Sequence, residues 1–319
     1  MSHHGYGWEI GMRGAFLKAI SVLFLLVTLP GCGVLRTGAA SLKSTADFMP
    51  MEADRRVFAE AGGEDVAAVA AQLLPEAVAT VEKQQGRPFP KPVEVYVTRD
   101  EESFAAFTGV AKQVRGAVIL KLFLSGGLRK EPERIRRILV HELSHMHLWQ
   151  YVGLYPYNAN LPSWFQEGLA VLVSGGGGAE RVSEDAAAAA IAAGKAVTPE
   201  STGSFFFKKS GASYGLEPHM FYRQSGMFVS YLKSLDEERF AAFMSDLEGG
   251  RTFEDAFNDA FRGSVGELWQ VFAARCKTAA DLRHRIFRRT QSPQKASSPE
   301  TPVRVTSAAF KWERYVTAK

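Results

Sequence analysis

Apolar residues recur at helical spacing over residues 64–85, at Val66, Val69, Ala70, Leu73, Leu74, Ala77, Val78 and Val81. Steps of three and four place them on one face, so an amphipathic helix is expected, with Pro75 a candidate kink. The period then shortens. Residues 92–98 alternate and are β-branched, which predicts a strand. Asp100 suits the N-cap of a short helix through Phe107, ended by Gly109. Residues 116–125 read as a second strand, stopped by Gly126 and Gly127. From Pro132 the helical steps return at Ile135, Ile138, Leu139, Leu143 and Met146, predicting a helix to about Tyr151. Residues 153–162, rich in Tyr, Asn and Pro, suggest a loop, and Ser163 then caps a further helix. The glycine run 175–178 reads as a flexible break, 183–193 as an Ala-rich helix, and 194–216 as an irregular stretch in which Phe205, Phe206 and Phe207 pack on the core or line a cleft. Four helices follow near 217–235, 236–248, 252–261 and 264–288. The fold class is therefore α+β: a small N-terminal mixed sheet with the helix from Pro132 to about Tyr151, then a mainly helical C-terminal part.

The third of the helices, from Pro132 to about Tyr151, carries chemistry. His141-Glu142-Leu143-Ser144-His145 lies inside it, and residues four apart on a helix share a face. Both imidazoles can reach one metal ion, and Glu142 sits beside the first, within reach of a water on that ion. This is the spacing of a zinc hydrolase, with two nitrogen ligands and an adjacent base. A third ligand is needed. Glu167 falls in the first turns of the next helix among apolar neighbours, in Leu161-Pro162-Ser163-Trp164-Phe165-Gln166-Glu167-Gly168-Leu169-Ala170. A carboxylate there needs a partner, because burying an unpaired charge is costly, and a metal would supply one. The chain between His145 and Glu167 is long enough to end one helix, turn and begin another. His147 lies on a different face from His145 and is expected to be packed or solvated, and Trp164 to seat the second helix.

These paired helix motifs resemble those of the gluzincins, zinc peptidases with H-E-x-x-H on one helix and a glutamate ligand on the next. The phrase at 161–170 is similar to the second-helix motif of small bacterial members. Tyr222-Arg223-Gln224-Ser225 and Phe253-Glu254-Asp255-Ala256-Phe257 also resemble that group's downstream helices. The resemblance spans about residues 90–275 and implies a zincin-like fold. It also implies His141, His145 and Glu167 as Zn²⁺ ligands, Glu142 as general base, and Tyr222 or His219 as the group that stabilises the oxyanion. A protein or peptide substrate follows. The chain departs from the pattern twice. No Gly-x-Met-Glu-Asn element precedes the first helix, which argues for an endopeptidase over an aminopeptidase. Val171 stands where thermolysin-like enzymes carry a histidine-orienting Asp, so the histidines must find other partners, such as a backbone carbonyl. In such enzymes a sheet-edge strand pairs with the substrate backbone; 116–125 could be that strand or an interior one.

The ends of the chain add a location. Arg13 and Lys18 precede an apolar run over 19–29, too short for a comfortable membrane span but suited to a signal peptide over 1–31. Residues 29–32, Leu-Pro-Gly-Cys, resemble a bacterial lipobox, which implies lipidation of Cys32, a tether over 32–60, and a cell-envelope protein on the outer-membrane or periplasmic side if the cell is Gram-negative. The alternative is a plain signal peptide with an incidental cysteine. The catalytic domain is expected over 61–289, its α/β part ending near 152, and a disordered tail over 290–319, rich in Ser, Pro and Gln at its start. Arg283, Arg285, Arg288 and Arg289 could touch anionic lipid or form a solvated face. Of the 319 residues, 46% are hydrophobic and 23% charged, an ordinary globular balance, and a net charge of +4 is too mild to argue for nucleic acid. The leading expectation is an exported, lipid-anchored zinc metallopeptidase; the rival is a non-catalytic envelope lipoprotein of the same fold acting in binding or assembly.

Overall fold

The computed structural model describes residues 37–291 except 38, 41 and 206, with only the backbone course of 283–291. The expected signal peptide, Cys32, the basic side chains of 283–289 and the tail beyond 291 lie outside the described residues. The chain forms two compact units: Met1–Ala71 with Glu94–Pro132, and Gln72–Val93 with Glu133–Lys319. A helix α1 (Glu64–Gln85), with Pro75 inside it, begins in the first unit and ends in the second.

The first unit is built on a mixed five-stranded sheet, as the pattern predicts. Its strands are β1 (Met49–Pro50), β2 (Val57–Ala59), β3 (Val95–Val97), β4 (Gly116–Val118) and β5 (Leu122–Leu124). The order is β1-β2-β3-β5-β4, with β2, β3 and β5 parallel and the two outer strands antiparallel to their neighbours. Register aligns Phe58, Tyr96 and Phe123 across the three inner strands. Successive side chains on a strand point to opposite faces, so these three form one aromatic stripe. Phe58 stacks on Tyr96 at 5.0 Å, and Phe48, Phe104 and Phe107 close over the stripe. Each fully buried ring stabilises the unit by about 1.5–3 kcal/mol. Phe104 comes from α2 (Glu101–Thr108), whose N-cap Asp100 accepts from the Ser103 amide at 2.7 Å and whose C-terminus ends on Gly109 in the left-handed region, as expected.

Two expectations change here. Residues 48–59 fall within the stretch read as tether, yet Phe48 enters the core and β1 and β2 join the sheet. The apolar run 116–125 is not one strand. It folds back near residues 119–121, where the Ile119 amide donates to the Lys121 carbonyl, giving an edge strand β4 and an interior strand β5.

The second unit is helical. It contains α3 (Ile135–Val152), α4 (Leu154–Ala159), α5 (Ser163–Val173), α6 (Glu184–Ala192), α7 (Pro218–Leu235), α8 (Glu237–Glu248), α9 (Phe253–Phe261) and α10 (Val265–Gln291). Each expected helix is present within a few residues. The α/β part does not reach 152, because α3 belongs to this unit. The loop expected at 153–162 contains α4. Ser163 is not the cap of α5: Pro162 holds the N-cap position, and the Ser163 hydroxyl donates instead to the Lys209 carbonyl at 2.6 Å. Trp164 does seat α5, against Phe165, Phe228 and Phe253, with its indole N–H on the Glu200 carbonyl.

The pairing of α5 with α7 depends on two glycines. A Cβ on Gly168 would lie 2.6 Å from the Ser225 carbonyl oxygen and 2.7 Å from Val229, and one on Gly226 would collide with Val171. Only hydrogens fit between these helices, so their backbones approach closely and Glu167, next to Gly168, is held in a defined place. Among the described residues no helix is long and apolar enough to cross a membrane.

Candidate metal centre

The helical period of α3 sets the site. Ile135, Ile138, Leu139, Leu143 and Met146 are all buried and anchor one face of the helix. His141 and His145 then emerge one turn apart, and α5 delivers Glu167 to them. The two Nε2 atoms are 3.1 Å apart, and one oxygen of Glu167 lies 3.3 Å from the first and 3.4 Å from the second. All three side chains are largely buried.

Does this group fit a zinc ion? A tetrahedral ion with bonds of about 2.0–2.1 Å keeps its ligands about 3.3–3.4 Å apart, close to the observed triangle. The proton inventory agrees. His141 Nδ1 lies 2.9 Å from the Gly177 carbonyl, which can only accept, so Nδ1 carries the hydrogen and Nε2 of the neutral ring presents a lone pair. His145 Nδ1 lies 2.8 Å from the Tyr157 hydroxyl, whose oxygen can accept its hydrogen; with Nδ1 as the donor, Nε2 presents a lone pair in the same way. Two lone pairs and a carboxylate aimed at one point repel each other unless a positive charge sits among them. Among the described residues this is the single group of three or more His, Cys, Asp or Glu side chains whose ligand atoms converge in this way.

The electrostatics carry the same demand. Burial disfavours a charged His141, but the carboxylates of Glu167 and Glu142 beside it outweigh that cost and raise its pKa. Burial also works against an ionised Glu167, yet His145 and His141 hold its carboxyl well below the usual range. Glu142 behaves oppositely. Burial pushes its pKa up, with the two histidines only partly restraining the rise, and no described residue donates a hydrogen bond to it. One carboxylate is thus held as an anion while its neighbour can gain a proton.

The histidine partners answer the question left by Val171. One is a carbonyl, that of Gly177, and the other is the phenol of Tyr157. The run 175–178, expected as a flexible break, is a tight turn: the Gly176 amide donates to the Val171 carbonyl at 2.8 Å and the Gly177 amide to the Ser174 hydroxyl at 2.9 Å. Gly178, at φ +80°, faces His141 and Tyr222, and a Cβ there would stand 3.2 Å from His141 Cε1. Neither Tyr157 nor Gly177 was singled out by pattern. The nearest signals were the Tyr-rich stretch after α3 and the glycine run after α5.

Of the two groups weighed for the oxyanion, Tyr222 lies beside His141. Its ring centroid is 6.1 Å from that of His141. The charge of Glu167, then burial, raises its pKa well above the phenol value, so it keeps its proton. His219 has its Nδ1 3.9 Å from Glu180 and lies near the backbone of Gly178, the residue that faces His141 and Tyr222. His147 is buried, its Nε2 2.9 Å from the Arg87 carbonyl and its ring edge-on to Phe89, consistent with packing.

One further cation stands close by. Lys208 Nζ donates to Gln166 Oε1 at 2.8 Å and lies 5.7 Å from the centre of the Tyr157 ring. The residue is exposed overall, yet the protein around its amino group lowers its pKa, with Glu167 and Glu142 opposing the shift.

A search of curated proteins found no match to this chain. Residues 74–275 match the Peptidase MA superfamily, whose members are typically zinc-dependent. That span takes in α3, α5 and α7, every element that supplies a side chain to the convergent group, and it covers more than half of the 319 residues. The chain belongs to the Peptidase MA superfamily.

Proposed function

We propose that this protein is a zinc-dependent metallopeptidase, an endopeptidase, with His141, His145 and Glu167 as the metal ligands. The observation that carries the proposal is the triangle of two Nε2 atoms and one carboxylate oxygen at 3.1–3.4 Å, with each histidine fixed from behind by a separate hydrogen bond. Bound there, zinc would supply a Lewis acid for the substrate carbonyl and lower the pKa of water at the open fourth position. Glu142 accepts the proton of the attacking water and passes it to the leaving amine; its buried carboxyl, with a raised pKa and no hydrogen-bond donor among the described residues, suits a group that must hold a proton between two steps. The Tyr222 hydroxyl donates to the carbonyl oxygen as negative charge builds on it. Glu167 stays ionised throughout.

The signal-like segment and the lipobox-like Cys32 support a location in the cell envelope, anchored by lipid, with envelope proteins or peptides as substrates. An unstructured protein such as casein is expected to be cut by the purified zinc-loaded chain, cleavage to stop on chelation, and zinc to restore it. Zinc binding with no cleavage of casein or of a peptide library would instead favour the non-catalytic envelope role.

Tyr157 supplies a finer test. Its phenol is raised well above its usual pKa by burial and by the charges of Glu167 and Glu142, so it remains a hydroxyl beside His145. Tyr157→Phe removes one oxygen and leaves the ring in place. Zinc affinity is expected to fall by about 10–100-fold, as for other partners of metal-bound histidines, measured by competition with a chromogenic chelator. An unchanged affinity would show that His145 is oriented by packing alone.

A further inference from the structure

We propose that Lys208 anchors a carboxylate of the substrate, so that the site prefers peptides carrying a C-terminal carboxylate or an acidic side chain close to the bond that is cut. This rests on the zinc peptidase function proposed above; an acidic side chain is the source that fits an endopeptidase, and a C-terminal carboxylate would instead make the enzyme act at chain ends.

The argument starts from what holds Lys208. Its segment runs beside α4 and meets it twice: Phe205 stacks on Tyr155 at 5.9 Å, and the Lys208 amino group lies over the ring of Tyr157. Tyr157 is the residue whose hydroxyl meets His145. Gln166, the neighbour of Glu167, holds the amino group from the other side. Both amide hydrogens of Gln166 are spent on the Tyr157 and Leu161 carbonyls, so its oxygen is turned outward and fixed, ready to accept from Lys208. The ammonium is thereby tied to the hydrogen-bond partner of His145 and to the chain neighbour of Glu167.

An ammonium has three donors, and Lys208 spends one on Gln166. Its other donors meet no protein acceptor among the described residues and are open to water or a ligand. Among the described residues no carboxylate lies within 4.0 Å of it, although Glu142 and Glu167 are near enough to influence its charge. A structural lysine at the surface would pair with a carboxylate or extend into water. This one is steered back by an immobilised amide and an aromatic face, a cost in side-chain freedom that a bound anion would offset. Phe207, next in the chain, and Tyr155, which stacks on Phe205, are 69% and 67% exposed, apolar surface open to the residue that bears or adjoins the carboxylate.

The test separates binding from turnover. In the zinc-loaded Glu142→Gln protein, matched fluorescent peptides would be compared by anisotropy: free against amidated C-terminus, and Asp against Asn near the expected scissile bond. At least one carboxylate peptide should bind about tenfold or more tightly than its neutral partner, the scale of a charge-assisted hydrogen bond. The pair that shows the gap names the source of the carboxylate. Adding Lys208→Met should collapse the gap, and Lys208→Arg should restore most of it. Equal binding of both pairs, or a gap that survives Lys208→Met, overturns the proposal. Cleavage by the protein with Glu142 intact is measured in parallel. Turnover without a carboxylate preference would sink the Lys208 role and leave the peptidase function standing. A Lys208-dependent preference without turnover would do the reverse.

Discussion

Glu142→Gln is expected to retain zinc at wild-type stoichiometry while peptide cleavage falls by about 10²–10⁴-fold, the contribution of a positioned general base. The reasoning is geometric. Glu142 lies on α3 beside His141 but outside the ligand triangle, so the metal should not notice the change. Glutamine has nearly the same shape and no described hydrogen bond is lost, so packing around the 7% exposed side chain persists. What disappears is the capacity to take up a proton. The loss should fall on kcat with KM little changed, since the group acts as bonds rearrange and not in ground-state binding. Replacing a buried carboxylate with a neutral amide should leave the thermal midpoint no lower. Cleavage within threefold of wild type would assign the base elsewhere.

Glu167→Ala should have the opposite profile: the metal goes first and activity goes with it. The two histidines alone leave the set one ligand short of the three expected at a catalytic zinc site. Wild-type protein stripped of metal should gain about 4 kcal/mol on adding zinc at a thousandfold excess over its dissociation constant. For a domain of this size that is roughly 8–16 °C in thermal midpoint. Glu167→Ala should show little or none of that shift at the same zinc concentration. A full shift in the variant would mean that Glu167 is not a ligand, whatever its distance from the rings.

The chemistry of this chain was more legible than its sheet, for a physical reason. A ligand pair at i and i+4 on a helix is dictated by the helical period, so His141 and His145 could be paired before any tertiary contact was known. Glu167 was readable because a carboxylate among Trp164, Phe165 and Leu169 needs a partner. The groups behind the histidines had no such mark. Gly177 acts through its carbonyl and Tyr157 through a phenol on a short helix, and neither residue type at that spacing implies a hydrogen bond to a ring nitrogen. Their roles arise only when α3, α4 and α5 pack.

The sheet was harder to read because its strands are two or three residues long, below the length at which alternation can be recognised. β1 and β2 were missed for that reason. The 116–125 run also lacked the Gly, Pro or Asn that usually marks a reversal; Leu120 and Lys121 sit at the bend instead. At Ser163 a sound local rule lost to a tertiary contact, because the Lys209 carbonyl claimed the hydroxyl that would have capped α5.

The claim that two imidazoles from one helix and a carboxylate from another hold a single zinc ion is tested most directly by X-ray absorption at the zinc edge of the loaded protein. The account predicts one zinc per chain with two imidazoles and light oxygen ligands at about 2.0–2.1 Å, and loss of one imidazole or of the metal in His145→Ala. A spectrum with no imidazole scattering, or one unchanged in His145→Ala, would contradict it.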